Sequence, residues 1–188
     1  MGRCYRIACE DYLDLEAFQE LVQKHLGGQA RLCLSLREEE YGGRYYIEGQ
    51  STRGVEVYKE GDFLVVRIPL LADYADFFLG KLFLDIFCQF LGEQVLDQEG
   101  GRLDVREYFS DETVQQLRET DSRIFLAMLK NMSGSITLAC PVSDVVFGRV
   151  EAEHFVQCQL DPAELTRRLT SHIGGIQWGG SEGEPEGE

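Results

Sequence analysis

The stretch from Asp73 to Leu91 constrains this fold more than any other. Phe77, Leu79, Phe83, Leu84, Phe87 and Leu91 are among its apolar residues, while Asp73, Asp76, Lys81, Asp85 and Gln89 recur every three to five positions. At helical spacing those polar residues leave one narrow wet stripe on an otherwise apolar cylinder. The interruptions at Asp76, Lys81, Asp85 and Gln89 are costly at a bilayer centre, so the segment reads as a buried helix and not as a membrane span. Gly92 supplies its stop, and the rest of the chain must enclose it.

What precedes that helix is a β-hairpin. Gly54–Tyr58 and Phe63–Ile68 are joined by Lys59-Glu60-Gly61-Asp62, whose Gly61 provides turn geometry. The second of these strands is apolar on both faces, which predicts a central position with layers on either side. Pro69 ends it. Upstream, Tyr5–Cys9 is a candidate first strand, followed by an amphipathic helix with Asp11 or Asp14 as N-cap and Gly27-Gly28 as stop. Arg31–Leu36 and Arg44–Glu48 form a second hairpin around a long acidic turn. Downstream, Gln94–Leu96 and Arg102–Val105 form a short pair, and Glu112–Lys130 reads as a helix. Ser135–Cys140 and Val145–Gly148 read as strands, and Glu153–Leu160 alternates as a further strand. Asp161-Pro162 opens a helix expected to stop at Gly174-Gly175, leaving Ile176-Gln177-Trp178 as an edge strand. The fold class is therefore α+β: a mostly antiparallel sheet of hairpins packed on one long buried helix, with two or three further helices.

With 188 residues and 44% hydrophobic content, residues 1–178 are expected to form a single globular domain. Residues 179–188, rich in Gly and Glu, are expected to be a disordered acidic tail. The formal net charge of −15, with no run of Lys or Arg, argues against nucleic acid and anionic membranes as partners. The N-terminus lacks an apolar core of signal-peptide length, and Arg6 breaks the myristoylation pattern, so a cytoplasmic location is expected. The six cysteines are scattered without Cys-x-x-Cys and read as free thiols; with His25, His154 and His172 far from any cysteine pair, no metal and no cofactor are expected.

No motif for a nucleophile elbow, a phosphate loop, a dinucleotide site or a zinc hydrolase is present, so no catalytic residue is assigned and a non-enzymatic role is expected. His154 beside Glu153 is a formal base pairing, but strand neighbours point to opposite faces. Acidic clusters ordinarily form a solvated face. The sharper reading is a docking surface. Glu38, Glu39, Glu40, Tyr41 and Tyr45 combine negative charge with amphipathic rings, a mixture able to steer a basic protein and then anchor on it. Ser51-Thr52-Arg53-Gly54 is the most idiosyncratic short string, and its arginine is expected to hold an internal ion pair in a structural role.

Thr52–Val57, Phe63–Pro69, the helix ending Leu91-Gly92, the Gln98–Gly101 turn and Ile176-Gln177-Trp178 together resemble an uncharacterised bacterial domain-of-unknown-function family, numbered forty-two ninety-nine. The resemblance spans positions 50–178 and implies a small cytosolic bacterial protein with no assigned activity, so no residue roles are carried over. Size, acidity, the aromatic–acidic turn and the missing catalytic motifs point to a protein-binding module, most concretely an immunity- or antitoxin-type inhibitor of a basic partner. A homo-oligomeric structural protein and a small-ligand binder are the alternatives.

Overall fold

The computed structural model describes residues 2–10, 14–36 and 42–179. Apart from Gly179, the expected acidic tail lies outside the described residues. The elements run β1 (Gly2–Ala8), α1 (Leu15–Leu26), β2 (Leu32–Leu36), β3 (Gly42–Ile47), β4 (Val55–Glu60), β5 (Phe63–Pro69), α2 (Tyr74–Leu91), β6 (Val95–Leu96) and β7 (Arg102–Leu103). They continue through α3 (Val105–Tyr108), α4 (Asp111–Asn131), β8 (Ile136–Leu138), β9 (Val145–Phe147), α5 (Arg149–Gln157) and α6 (Pro162–Trp178). Seven strands form one antiparallel sheet in the order β2-β3-β4-β5-β1-β6-β7, and β8 pairs with β9 separately. The protein is α+β, as its pattern of hairpins and one apolar helix predicts.

The apolar character of β5 has its cause in this order. β5 sits fourth of seven, between β4 and β1, and Leu64, Val65, Val66 and Ile68 are all buried. α2 lies across the sheet because its ends are fixed and one face is cut to fit. The Asp73 side chain accepts from the Asp76 amide at 3.0 Å, and the Asp76 side chain accepts from the Asp73 amide at 3.2 Å, a reciprocal cap that satisfies two otherwise orphaned donors. At the far end Gly92 takes φ +69° and donates to the Cys88 carbonyl. Midway, a Cβ on Gly80 would stand 2.5 Å from Ile68 Cδ1, so glycine is what lets the helix settle onto β5. The aromatic rings complete the layer. Phe18 of α1 stacks on Phe87 at 4.4 Å, and Phe83 meets Tyr45 edge-on at 5.1 Å. Each fully buried phenylalanine contributes roughly 1.5–3 kcal/mol.

A second apolar cluster joins α4, α5, α6 and the β8–β9 pair around Phe125, Phe147, Phe155 and Leu169. Leu70 and Leu71, immediately after β5, insert into it. Asp121 of α4 ties the two halves. Its carboxylate pairs with Arg3 of β1 at 2.6 Å and accepts from the Leu71 amide at 3.3 Å. No helix among the described residues is long and apolar enough to cross a membrane.

Three expectations are corrected. The stretch expected as a strand from Glu153 to Leu160 is mostly helix, because Glu151 accepts from the Gly148 amide and starts α5, while Ala152 and Phe155 fall on one buried face three residues apart. Ile176-Gln177-Trp178 is the last turn of α6, not an edge strand. Gly174-Gly175 does not stop α6; Gly179, at φ +64°, does.

Candidate functional site

The turn Ser51–Gly54, between β3 and β4, is polar in composition and buried in fact. Ser51, Thr52 and Arg53 are all enclosed. Backbone groups brought inside a protein need partners, and the Arg53 and Gly54 amides obtain theirs from one carboxylate. Asp76, fully buried in the first turn of α2, accepts from the Thr52 hydroxyl at 3.1 Å, from the Arg53 amide at 2.9 Å and from the Gly54 amide at 2.9 Å. The reciprocal cap adds the Asp73 amide as a further donor. Burial pushes the Asp73 carboxyl well above the usual range, and the neighbouring Asp76 adds to the effect. Gly54 has φ +67°, and a Cβ there would meet the Tyr45 carbonyl at 2.8 Å and Arg44 Cγ at 3.0 Å. The Arg44 stem therefore lies directly against the backbone that follows Arg53.

The C-terminal turn of α6 closes the other side. Trp178 Nε1 donates to the Ser51 carbonyl at 3.0 Å, and its ring packs on Tyr46 at 6.2 Å. Gln177 reaches the loop after Cys140, accepting from the Val142 amide at 2.9 Å and donating to the Ser143 carbonyl at 2.5 Å. Side chains from β3, the 51–54 turn and the Cys140 loop thus meet at one seam.

The charges at this seam are unevenly matched. Arg44, Glu56 and Arg67 stand side by side on β3, β4 and β5. Glu56 pairs with Arg44 at 2.5 Å and with Arg67 at 3.3 Å. Arg53, only 6% exposed, has no hydrogen-bond partner at Nε or Nη1, and the Arg44 Nε is likewise without one. Among the described residues the internal ion pair expected for Arg53 is not formed: its backbone amide is held by Asp76 while its guanidinium Nε and Nη1 are left without an acceptor. Burial lowers the Arg53 pKa, the adjacent Cys140 works in the opposite sense, and Arg44 lowers it again. Composition and spacing carry no signal for this cluster beyond the oddity of the Thr-Arg-Gly string, because its members come from segments far apart in the chain.

The residues chosen from the sequence fare differently. Glu38, Glu39, Glu40 and Tyr41 lie outside the described residues. Tyr45 is a core residue and not a surface anchor. It is fully buried, its ring held between Phe18 and Phe83, because the alternation of β3 directs it to the face covered by α1 and α2. β2, which precedes Glu38-Glu39-Glu40-Tyr41 in the sequence, is an edge strand of the sheet. Arg31 accepts from the Glu48 amide, so in this register Cys33 and Ser35 pair with β3 while Leu32, Leu34 and Leu36 direct their backbone groups outward. Gln23 of α1 caps the outward amide of Leu32 at 2.8 Å, and the edge beyond it continues through Leu34 and Leu36.

His154 is exposed on α5 with its ring edge-on to Phe155, and Glu153 pairs with Arg149 at 2.8 Å. A cleft of about 530 Å³ opens between the end of α4 and α5, where Lys130, Ser133, Arg149 and Glu153 rim an apolar floor of Leu129 and Ala152. None of the six cysteines, all of them among the described residues, is in a disulfide. Among the described residues no group of three or more His, Cys, Asp or Glu side chains is placed to hold a metal ion. Compared with protein-family models, curated proteins and solved structures, the chain matches none of them.

Proposed function

We propose that this chain is a non-enzymatic, acidic protein-binding module, most concretely an immunity- or antitoxin-type inhibitor of a basic partner protein. The observation that supports this reading is the continuity of β2, an edge strand with outward backbone groups at Leu34 and Leu36, with Glu38-Glu39-Glu40-Tyr41 in a chain of net charge −15. An open edge offers main-chain hydrogen bonds to an added strand, and the carboxylates select a cationic one. Long-range attraction raises the association rate, and the strand pairing holds the complex.

The test is affinity capture from the source cells at low and high salt, with identification by mass spectrometry. Three baits are compared: the native chain, the combined charge reversal of Glu38, Glu39 and Glu40 to Lys, and Leu34→Pro. Proline is tolerated on an edge strand where its missing N–H faces outward, so Leu34→Pro removes the docking group without removing a sheet bond. The reading expects one basic protein held by the native chain in a salt-sensitive manner and lost from both variants. Capture that is unchanged by both variants and by salt overturns it.

A further inference from the structure

We propose that Arg44 and Arg53 form a binding site for a small oxyanion, of the phosphate, sulfate or carboxylate class, at the seam between the sheet, the 51–54 turn and the loop after Cys140. This goes beyond the protein-binding reading and is independent of it, since it is argued from none of the residues assigned to the partner.

Three observations carry the proposal. The first is satisfaction. Arg53 Nε and Nη1 and Arg44 Nε are buried donors without acceptors, on side chains that are 6% and 5% exposed. Buried guanidinium donors are almost always paired, because a charge removed from water needs its hydrogen bonds replaced. The second is the saturation of the available carboxylates. Glu56 is shared by Arg44 and Arg67, and Asp76 is turned toward the backbone of the 51–54 turn and the Thr52 hydroxyl. Both carboxylates act on Arg53 through space, but among the described residues neither accepts a hydrogen bond from its guanidinium Nε or Nη1. Three arginines thus stand against two carboxylates in a chain whose overall charge is strongly negative.

The third is proximity. Gly54 lacks the Cβ that would strike Arg44 Cγ at 3.0 Å and Cδ at 3.3 Å, so the two cationic side chains issue from touching segments of backbone. Burial first, and Arg44 as a lesser cause, lower the Arg53 pKa, and an anion between the two side chains would turn their mutual repulsion into attraction. Planar guanidinium groups with free N–H donors suit the oxygens of an oxyanion better than a spherical halide, because each donor can be given its own acceptor. The buried thiol of Cys140 is a weak hydrogen-bonding group, and it leaves the anion role open.

The experiment titrates the native full-length protein with inorganic phosphate, sulfate and acetate, with chloride at matched ionic strength as reference. Thermal unfolding and side-chain NMR of the arginine Nε–H groups are read together. The proposal expects a saturable rise in Tm with at least one oxyanion over chloride, and displacement of the Arg53 and Arg44 Nε–H signals with the same midpoint. Which of the three anions binds tightest names the source. Arg53→Met is expected to weaken binding by about tenfold or more, whereas Arg149→Met, which removes an exposed cation elsewhere, is expected to leave it unchanged. Arg53→Lys keeps the charge and loses the planar donors, and is expected to fold and to bind more weakly. Equal Tm shifts for all four salts, unmoved Nε–H signals in the native protein, or undiminished binding by Arg53→Lys and Arg53→Met each overturn the proposal.

Discussion

Trp178 donates its indole N–H to the carbonyl of Ser51 across 127 positions of sequence, at 3.0 Å. The bond fastens the last turn of α6 to the turn that opens β4, and so couples the C-terminal helix to the sheet through a segment holding two buried polar side chains and Arg53. It also explains why α6 passes through Gly174-Gly175. The helix is extended by what its final turn grasps: Gln177 holds the Ser143 loop while Trp178 holds Ser51.

Trp178→Phe keeps most of the ring packing on Tyr46 and deletes the indole donor. It is expected to lower the unfolding free energy by about 1 kcal/mol, the usual net worth of one such bond. Chemical denaturation followed by circular dichroism measures it, since the chain has one tryptophan and the variant loses that fluorophore. An unchanged midpoint would show that the ring alone holds the two segments together.

Asp76→Asn tests the acceptor beneath the turn. The amide preserves size but replaces one acceptor oxygen with a donor that would face the Arg53 or Gly54 amide, so at least one buried N–H is left unmet. A loss of about 1.5–3 kcal/mol is expected, in the range for hydrogen bonds to a charged group. The diagnostic reading is hydrogen exchange. The Arg53 and Gly54 amides should lose protection selectively, while amides of β5 change only with global stability.

Much of this architecture can be read from the sequence where the signal is local. Asp73 and Gly92 bound α2, Asp161-Pro162 starts α6, and the apolar faces of Phe63–Ile68 place β5 in the middle of the sheet. Such signals lie in residues next to one another, so no tertiary information is needed. α5 defeats the same logic. Phe155, Val156, Cys158 and Leu160 suggest alternation, yet the cap formed by Glu151 and the pair Ala152 and Phe155 decide for helix, and these lie partly upstream of the window that looks like a strand. Tyr45 shows a different limit. An aromatic beside an acidic turn reads as an anchor until the face of β3 is known, and that face is set by α1 and α2. The seam around Arg53 is illegible for the same reason, since pairing across space decides which charges are satisfied.

The Asp73 carboxyl gives the fold a pH dependence with a definite sign. Burial, and after it the nearby Asp76, raises its pKa in the folded state, while Arg118 acts in the opposite direction. A group that holds its proton more tightly when folded stabilises the protein fully below its unfolded pKa, and that contribution is lost as the pH rises through the folded value. Asn is as good an N-cap as Asp and carries no charge. Asp73→Asn is therefore expected to raise the denaturation midpoint at neutral pH and to flatten its fall between mildly acidic and neutral conditions. Parallel curves for variant and native protein over that range would contradict the assignment.

Glu164 has the opposite behaviour, at the surface of α6. Hydrogen bonds from Arg167 and then Arg168 hold its carboxyl down at about 2, in a cluster where the Arg167 Nη2 and Arg168 Nε each stand 2.7 Å from the same oxygen. Because the folded pKa is depressed, the contribution of this cluster is present above the ordinary carboxylate range and is lost as the pH falls through the folded value. The side-chain carbon of Glu164 followed by NMR should titrate near 2, well below an ordinary glutamate. Arg167→Met should move that midpoint upward more than Arg168→Met does, and added salt should move it in the same direction, since the cluster is open to screening. A midpoint in the ordinary range in the native protein would mean that the two arginines spend most of their time in water. In that case the first turn of α6 would be held by Asp161, whose side chain accepts from the Ala163 and Glu164 amides, each at 3.0 Å.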